Sequence, residues 1–210
     1  MKSSFFGGER PSYHHGRLKD ALIEAARALV GERGPAGFTL AEAAKRVGVT
    51  GAAPYRHFAD RQALMNALAA QGFEQFAAAQ RAAWDGGRPE PMAAFRRMGR
   101  AYLSFAQSEP GLYGAMFGVA GAAGAVANAK VANESFELLV AATFVVLRQH
   151  GAPGSEAIAL ARQIWALSHG VASLANAGHF TLSGGADPAA LLESGNASLV
   201  EMAIRRARGG

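Results

Sequence analysis

Between Phe38 and Phe58 the chain reads FTLAEAAKRVGVTGAAPYRHF, and this run constrains the fold more than any other. Leu40, Ala43, Ala44 and Val47 recur at helical spacing, so Thr39 to Arg46 is expected to form a short helix with Thr39 as its N-cap. Gly48 ends that helix, because glycine takes the left-handed conformation of a tight turn at little steric cost. Thr50 offers a second N-cap, for a second short helix carrying Ala52, Ala53, Tyr55, Arg56 and His57. Pro54 then falls at the end of the first turn, where a missing N–H costs least. Two short helices around a glycine-containing turn make a helix-turn-helix, whose second helix fits the major groove of double-stranded DNA. Gly51 and Ala52, small residues at its start, let that helix approach base edges and phosphates closely.

Over about fifty residues the chain resembles the TetR family of bacterial transcription regulators. The resemblance rests on the tract from Leu18 to Gly34, Phe38-Thr39, Ala44, Val47-Gly48-Val49, Tyr55-Arg56-His57-Phe58, and Arg61 with Leu64. Two positions depart from the family pattern: Pro54 replaces a helix former, and Arg61 replaces the usual lysine while keeping its charge. The resemblance implies a ligand-responsive repressor acting as a homodimer on a pseudo-palindromic operator. It also implies DNA contacts from Arg17, Thr39, Thr50, Gly51, Ala52, Tyr55, Arg56, His57 and Arg61. Of these, Tyr55, His57 and Arg61 are expected on phosphates and Thr39 on the backbone.

The charge distribution agrees. Residues 1–61 hold ten Lys/Arg against six Asp/Glu, and residues 62–210 hold eleven against ten. The excess that gives the chain its formal charge of +5 therefore sits with the helix-turn-helix, as attraction to phosphate requires. Without cysteine there is no disulfide and no thiolate metal site, which fits a reducing bacterial cytoplasm. Gly111 to Ala129 is nineteen residues without a charge, close to membrane-spanning length. Five of them are glycine and seven alanine, so the segment is a poor insertion candidate and is expected to be a flexible internal connector, with no membrane partner.

The rest of the chain alternates helical apolar stripes with Gly/Pro breaks, and no strand-type alternation competes. The expected class is all-α: a DNA-binding domain over 1–61 with an N-terminal arm, a connecting helix over about 60–84, and a helical effector-binding and dimerisation domain over 62–210. Helices are expected from Leu18 to Glu32, from an Asp60 cap to Trp84, through Phe95, Met98, Tyr102 and Phe105, from Ala129 to His150, from Ser155 to His179, and from Pro188 to Arg206. Asp85 to Pro89 is the best linker candidate. Residues 1–12 read as a mobile arm, either tracking DNA or a plain tail. His14 and His15 lack further ligands at helical spacing, so phosphate contact is preferred over metal.

Trp165, His169 and Gly170 repeat a W-x3-H-G pattern similar to a TetR subgroup named for these residues. Their spacing puts the indole and imidazole on one helix face, either as satisfied core residues or as a pocket wall. Tyr102, Phe105, Tyr113, Met116, Phe117, Phe136, Phe144, Trp165 and His169 are the candidate lining of an effector pocket. With so few charges nearby, the effector is expected to be apolar or aromatic. No Ser/His/Asp arrangement, cysteine nucleophile or phosphate-binding loop stands out, so neither catalysis nor a cofactor or metal is expected. The last two long helices carry the expected dimer face, with Ala166, Ala172, Ser173 and Ala177 allowing close approach and Leu191, Leu192, Leu199 and Val200 supplying apolar area.

Overall fold

The computed structural model describes residues 15–118, 129–182 and 185–209. Helix α1 spans His15–Arg33 because Leu22, Ala26 and Leu29 form one inward stripe, none more than 2% exposed. Helix α2 spans Leu40–Val47. Thr39 caps it as expected, within a capping box: its hydroxyl accepts from the Glu42 amide at 3.2 Å, while the Glu42 carboxylate takes the Thr39 amide at 2.8 Å. Gly48 closes the helix at φ +80°, donating to the Ala44 and Lys45 carbonyls.

Asp60 caps α3, Arg61–Trp84, by accepting from the Ala63 amide at 2.8 Å. Helices α4 (Pro91–Ser108), α5 (Pro110–Phe117), α6 (Ala129–Gln149), α7 (Ala157–Asn176), the single turn α8 (His179–Leu182) and α9 (Pro188–Gly209) follow. Among the described residues there is no strand, and no helix is long and apolar enough to cross a membrane.

Two expectations change. Asp85 to Pro89 is a tight turn rather than a loose linker. Arg88 pairs with Asp85, and Arg97 donates to the carbonyls of Ala83 and Arg88, tying α4 back onto the end of α3. The tract beginning at Gly111 is not a connector at its start: 110–117 is helical, with Leu112, Tyr113, Ala115 and Met116 buried. Residues 119–128 of that tract, the arm over 1–12, and His14 lie outside the described residues.

The glycines of α5 explain the first half of that correction. Gly111, Gly114 and Gly118 share one face, and that face lies on α1 and the loop after it. A methyl at Gly111 would overlap the Arg27 carbonyl oxygen, one at Gly114 would come within 3.0 Å of Val30, and one at Gly118 would overlap Pro35. Glycine here permits close packing between helices rather than flexibility. Arg27 of α1 adds an ion pair to Glu109 at the head of α5.

Two apolar clusters fill the bundle. One runs from α1 and α2 through α3 and α5 to Tyr102, Phe105, Val171 and Leu192. The other gathers Trp84, Phe95, Met98, Val146, Leu147, Leu160, Ile164, Val200 and Ile204. Each fully buried leucine or phenylalanine contributes about 1.5–3 kcal/mol. The first cluster joins the segment before residue 61 to the helices after it without a break.

Candidate DNA-contacting tip and ligand cavity

At the tip, the second element is one 3-10 turn, Ala53–Arg56, not the α-helix expected from a Thr50 cap. Thr50 accepts from the Ala53 amide through its backbone carbonyl, and no side chain caps the turn. The cause is local. An α-turn through Pro54 would press its ring on the Thr50 carbonyl, and the chain must reach Asp60 extended to start α3. The Pro54 carbonyl instead accepts from both His57 and Phe58 at 2.9 Å. Pro54 and Phe58 are buried anchors; Thr50, Gly51 and Ala52 before them and Tyr55 and Arg56 between them are exposed, with His57 half-buried. Tyr55, at 62%, is the most exposed large hydrophobic side chain among the described residues.

The basic excess is distributed unevenly. Arg33 pairs with Glu42 at 2.9 Å, Arg46 with Glu32 at 2.5 Å, and Arg27 with Glu24 and Glu109. Each pair offsets a charge inside the fold; the Arg46 guanidinium holds the Glu32 carboxyl below its usual range, and hydrogen bonds from Thr39 do the same for Glu42. Arg61 is half-buried under the loop, donating to the Phe38 carbonyl at 2.9 Å and to the Pro35 carbonyl, with its guanidinium over the Phe38 ring. Among the described residues before α3, the cations without a carboxylate partner are Arg17, Lys19, Lys45 and Arg56, all exposed. Sequence reading missed Lys19 and Lys45 because charge counting does not reveal which cations are already paired.

Where the two apolar clusters meet, a cavity of about 750 Å³ opens between α3, α4, α5, α6, α7 and α9. Phe73, Phe76, Phe95, Met98, Leu139 and Ile164 line it, together with the expected Tyr102, Met116, Phe117, Phe136 and Trp165. Phe136 and Trp165 meet edge-on at 6.3 Å between centroids. Four expected residues fall elsewhere. Phe144 is 47% exposed on the outer side of α6, where its ring covers Gly154. Phe105 is buried one layer back, edge-on to Phe76 at 5.4 Å. Tyr113 and His169 stand behind the wall rather than in it.

That back layer is a polar network inside an apolar shell. Nδ1 of His169 is hydrogen-bonded to the Tyr113 hydroxyl at 2.8 Å, and the Tyr102 hydroxyl is 3.3 Å away. The His169 ring also stacks on Tyr113 at 5.7 Å and meets Phe117 edge-on at 4.7 Å. Burial pushes the imidazole below its usual range, which favours its neutral form. Burial, and then the neighbouring Tyr113, push the Tyr102 hydroxyl up, keeping it a donor. Trp165 thus lies on the cavity wall, and His169, half-buried, lies in the layer behind it.

The cavity's polar side chains come from several helices: Gln80 of α3, Asn133 and Ser135 of α6, Arg162 and Ser168 of α7, and Asn196 of α9. Gln80 donates to the Met98 carbonyl at 3.2 Å, and the Asn196 amide lies against Gly99. Neither carboxamide was a candidate in the sequence, because a lone Gln or Asn on a helix carries no motif.

The family assignment rests on independent comparisons. Residues 22–68 match the family described as bacterial regulatory proteins, tetR family, and residues 95–199 match the Tetracyclin repressor-like C-terminal domain, a span that includes Trp165, His169 and Gly170. No curated protein matches significantly in sequence. Among solved structures, a protein of unknown function from Rhodococcus sp. RHA1 shares 28% identity, with 93% of this chain and 100% of that one covered and a TM-score of 0.78. The fold also matches a fatty acid degradation regulator, FadR, from Bacillus halodurans at 14% identity, covering 92% and 97% of the two chains with a TM-score of 0.70. It matches a TetR family transcriptional regulator from Thermus thermophilus at 17% identity, covering 89% and 94% with a TM-score of 0.65. With its N-terminal and C-terminal segments both matched, the chain belongs to the TetR family of DNA-binding transcriptional regulators.

Proposed function

We propose that this chain is an effector-responsive repressor, working as a homodimer on a pseudo-palindromic operator, with the 750 Å³ cavity as its effector site. The observation that carries the reading is the position of α5. Met116 and Phe117 wall the cavity, and the opposite glycine face of the same helix lies on α1. A ligand that displaces Met116 and Phe117 must move α5, and α1 with the tip must follow, because that contact has no slack. Both tips of a dimer have to meet their half-sites together, so a shift of a few ångströms forfeits the effectively intramolecular second contact.

In this reading residues 1–61 are the DNA-binding domain, α3 is the connecting helix, and residues 62–210 bind effector and dimerise. The tip residues Thr50, Gly51, Ala52, Tyr55, Arg56 and His57 enter the groove, while Arg17, Lys19, Lys45 and Arg56 meet phosphates. Thr39 and Arg61, whose donors are used inside the fold, hold the shape of this domain instead of touching DNA. The dimer face is the exposed apolar side of α7 and α9: Ile158, Leu174, Leu191 and Met202. Leu192, Val200 and Ala172, expected at that face, point into the chain's own core.

Selection from random double-stranded DNA with the full chain tests this reading. The expected product is two inverted half-sites about one helical turn apart, or a multiple of it. Recovery of a single half-site, or of no enriched sequence, would overturn it.

A further inference from the structure

The cavity opens on one side, and the exposure of its lining shows which. On α3, α4, α5 and α9 every lining residue is buried or half-buried. The exposed lining residues are Asn133 of α6 and Arg162, Trp165 and Ala166 of α7. The open side therefore lies between these two helices, where Phe136 and Trp165 meet. Arg162 is the one charged side chain among the described lining residues, and it has no carboxylate partner among the described residues. Deeper in, nothing receives a charge. Gln80 is engaged with the Met98 carbonyl, and Oδ1 of Asn196 is enclosed beyond a ligand's reach.

Resting on the effector-site reading above, we propose that the cavity takes an amphipathic carboxylic acid, its apolar body inside and its carboxylate at the open side, paired with the Arg162 guanidinium. The polarity of the wall sets this orientation. A carboxylate sunk among neutral side chains would be costly, whereas at the open side it stays near water and gains a counter-charge. The planar guanidinium fork matches a carboxylate through two parallel hydrogen bonds. The body meets Phe73, Phe76, Phe95, Met98 and Ile164, and a volume of about 750 Å³ lies in the range of cavities that enclose most of a drug-sized molecule.

The test uses the purified full chain and N-phenyl-1-naphthylamine, an uncharged aromatic amine whose fluorescence rises in apolar surroundings. Decanoate and 1-decanol, equal in chain length, each displace the amine. The ratio of their inhibition constants is read within one protein, so a change in amine affinity cancels. Decanol is the more apolar of the two, and partition alone favours it. The wild type is nevertheless expected to prefer decanoate, and in Arg162→Gln the ratio should shift about tenfold toward decanol. Arg162 is exposed, so the variant should keep the wild-type melting temperature. Added salt should weaken decanoate in the wild type and leave decanol unchanged, an arm that needs no variant. Decanol displacing as well as decanoate, or better, in the wild type overturns the anionic head. A preference that survives Arg162→Gln, or that added salt leaves untouched, overturns the pairing with Arg162. Absence of amine binding overturns the effector-site reading beneath it.

Discussion

The guanidinium of Arg61 sits 4.8 Å above the centre of the Phe38 ring and donates to the carbonyl of that same residue at 2.9 Å. With a second bond to the Pro35 carbonyl, Arg61 ties the start of α3 to the loop between α1 and α2. These contacts hold the guanidinium against the loop that leads into α2. Replacing Arg61 with alanine should cost about 1.5–3 kcal/mol of stability, the range for hydrogen bonds from a charged donor. Arg61→Lys should recover little, because an ammonium lacks the planar fork that reaches two carbonyls. At a temperature where the variant is folded, the salt dependence of DNA binding should match the wild type. Arg56→Ala and Lys45→Ala should each lower the salt slope by about one. Denaturant unfolding and anisotropy titrations at several salt concentrations check both halves.

This division was not legible in the sequence, and the reason is physical. The short helix α2, the Thr39 cap, the Gly48 turn and the Asp60 start of α3 all follow from local rules within four residues, and all are present. The 3-10 turn at Pro54 is also local; it needed the clash with Thr50 weighed against the capping potential of that residue. Arg61 and Phe38 are 23 positions apart, and no periodicity links them. The pocket divides the same way. Tyr102, Met116, Phe117, Phe136 and Trp165 belong to inward stripes that sequence can find, whereas Phe144 differs from its inward neighbours by helix phase alone.

Gly111 carries the second prediction. Gly111→Ala would force α5 away from the Arg27 carbonyl, and overpacking of this kind costs about 1–3 kcal/mol. Gly114→Ala meets a side-chain methyl of Val30 rather than backbone and should cost less. Thermal unfolding of the two variants gives the order, and an equal or reversed order removes the close α1–α5 contact from the account.

The histidine network sets a pH dependence. The folded state keeps His169 neutral, with its pKa below the ordinary value near 6.5. The unfolded chain therefore binds more protons as pH falls through 6.5, and stability drops until the folded-state pKa is passed. Protonation also makes both ring nitrogens donors, which limits how Nδ1 can bond to Tyr113. His169→Gln should flatten the stability profile between pH 7 and 5, as followed by denaturant midpoints. An unchanged profile would place the titration on another group. Phe144→Ala, by contrast, should leave ligand displacement unchanged.

Leu199, expected at the dimer face, packs partly on the chain's own core, whereas other apolar side chains are left bare by the monomer. Leu191 and Ile158 are 46% and 51% exposed. Leu191→Asp should yield a folded monomer with weak operator affinity, because a charge is expensive at a dehydrated interface and cheap in water. Sedimentation at micromolar concentration separates the outcomes. A wild-type monomer there, or a dimer persisting in both Leu191→Asp and Ile158→Asp, places the interface elsewhere.

The central claim is that cavity and tip are coupled through α5, and reciprocal titration measures that coupling most directly. A compound shown to displace N-phenyl-1-naphthylamine is held at saturation while the Kd for the selected operator is measured by anisotropy. Its own Kd is then measured with and without saturating operator. The account predicts that the compound weakens DNA binding, and that DNA weakens binding of the compound by the same factor, as thermodynamic linkage requires. An operator Kd unchanged with the cavity filled would contradict it.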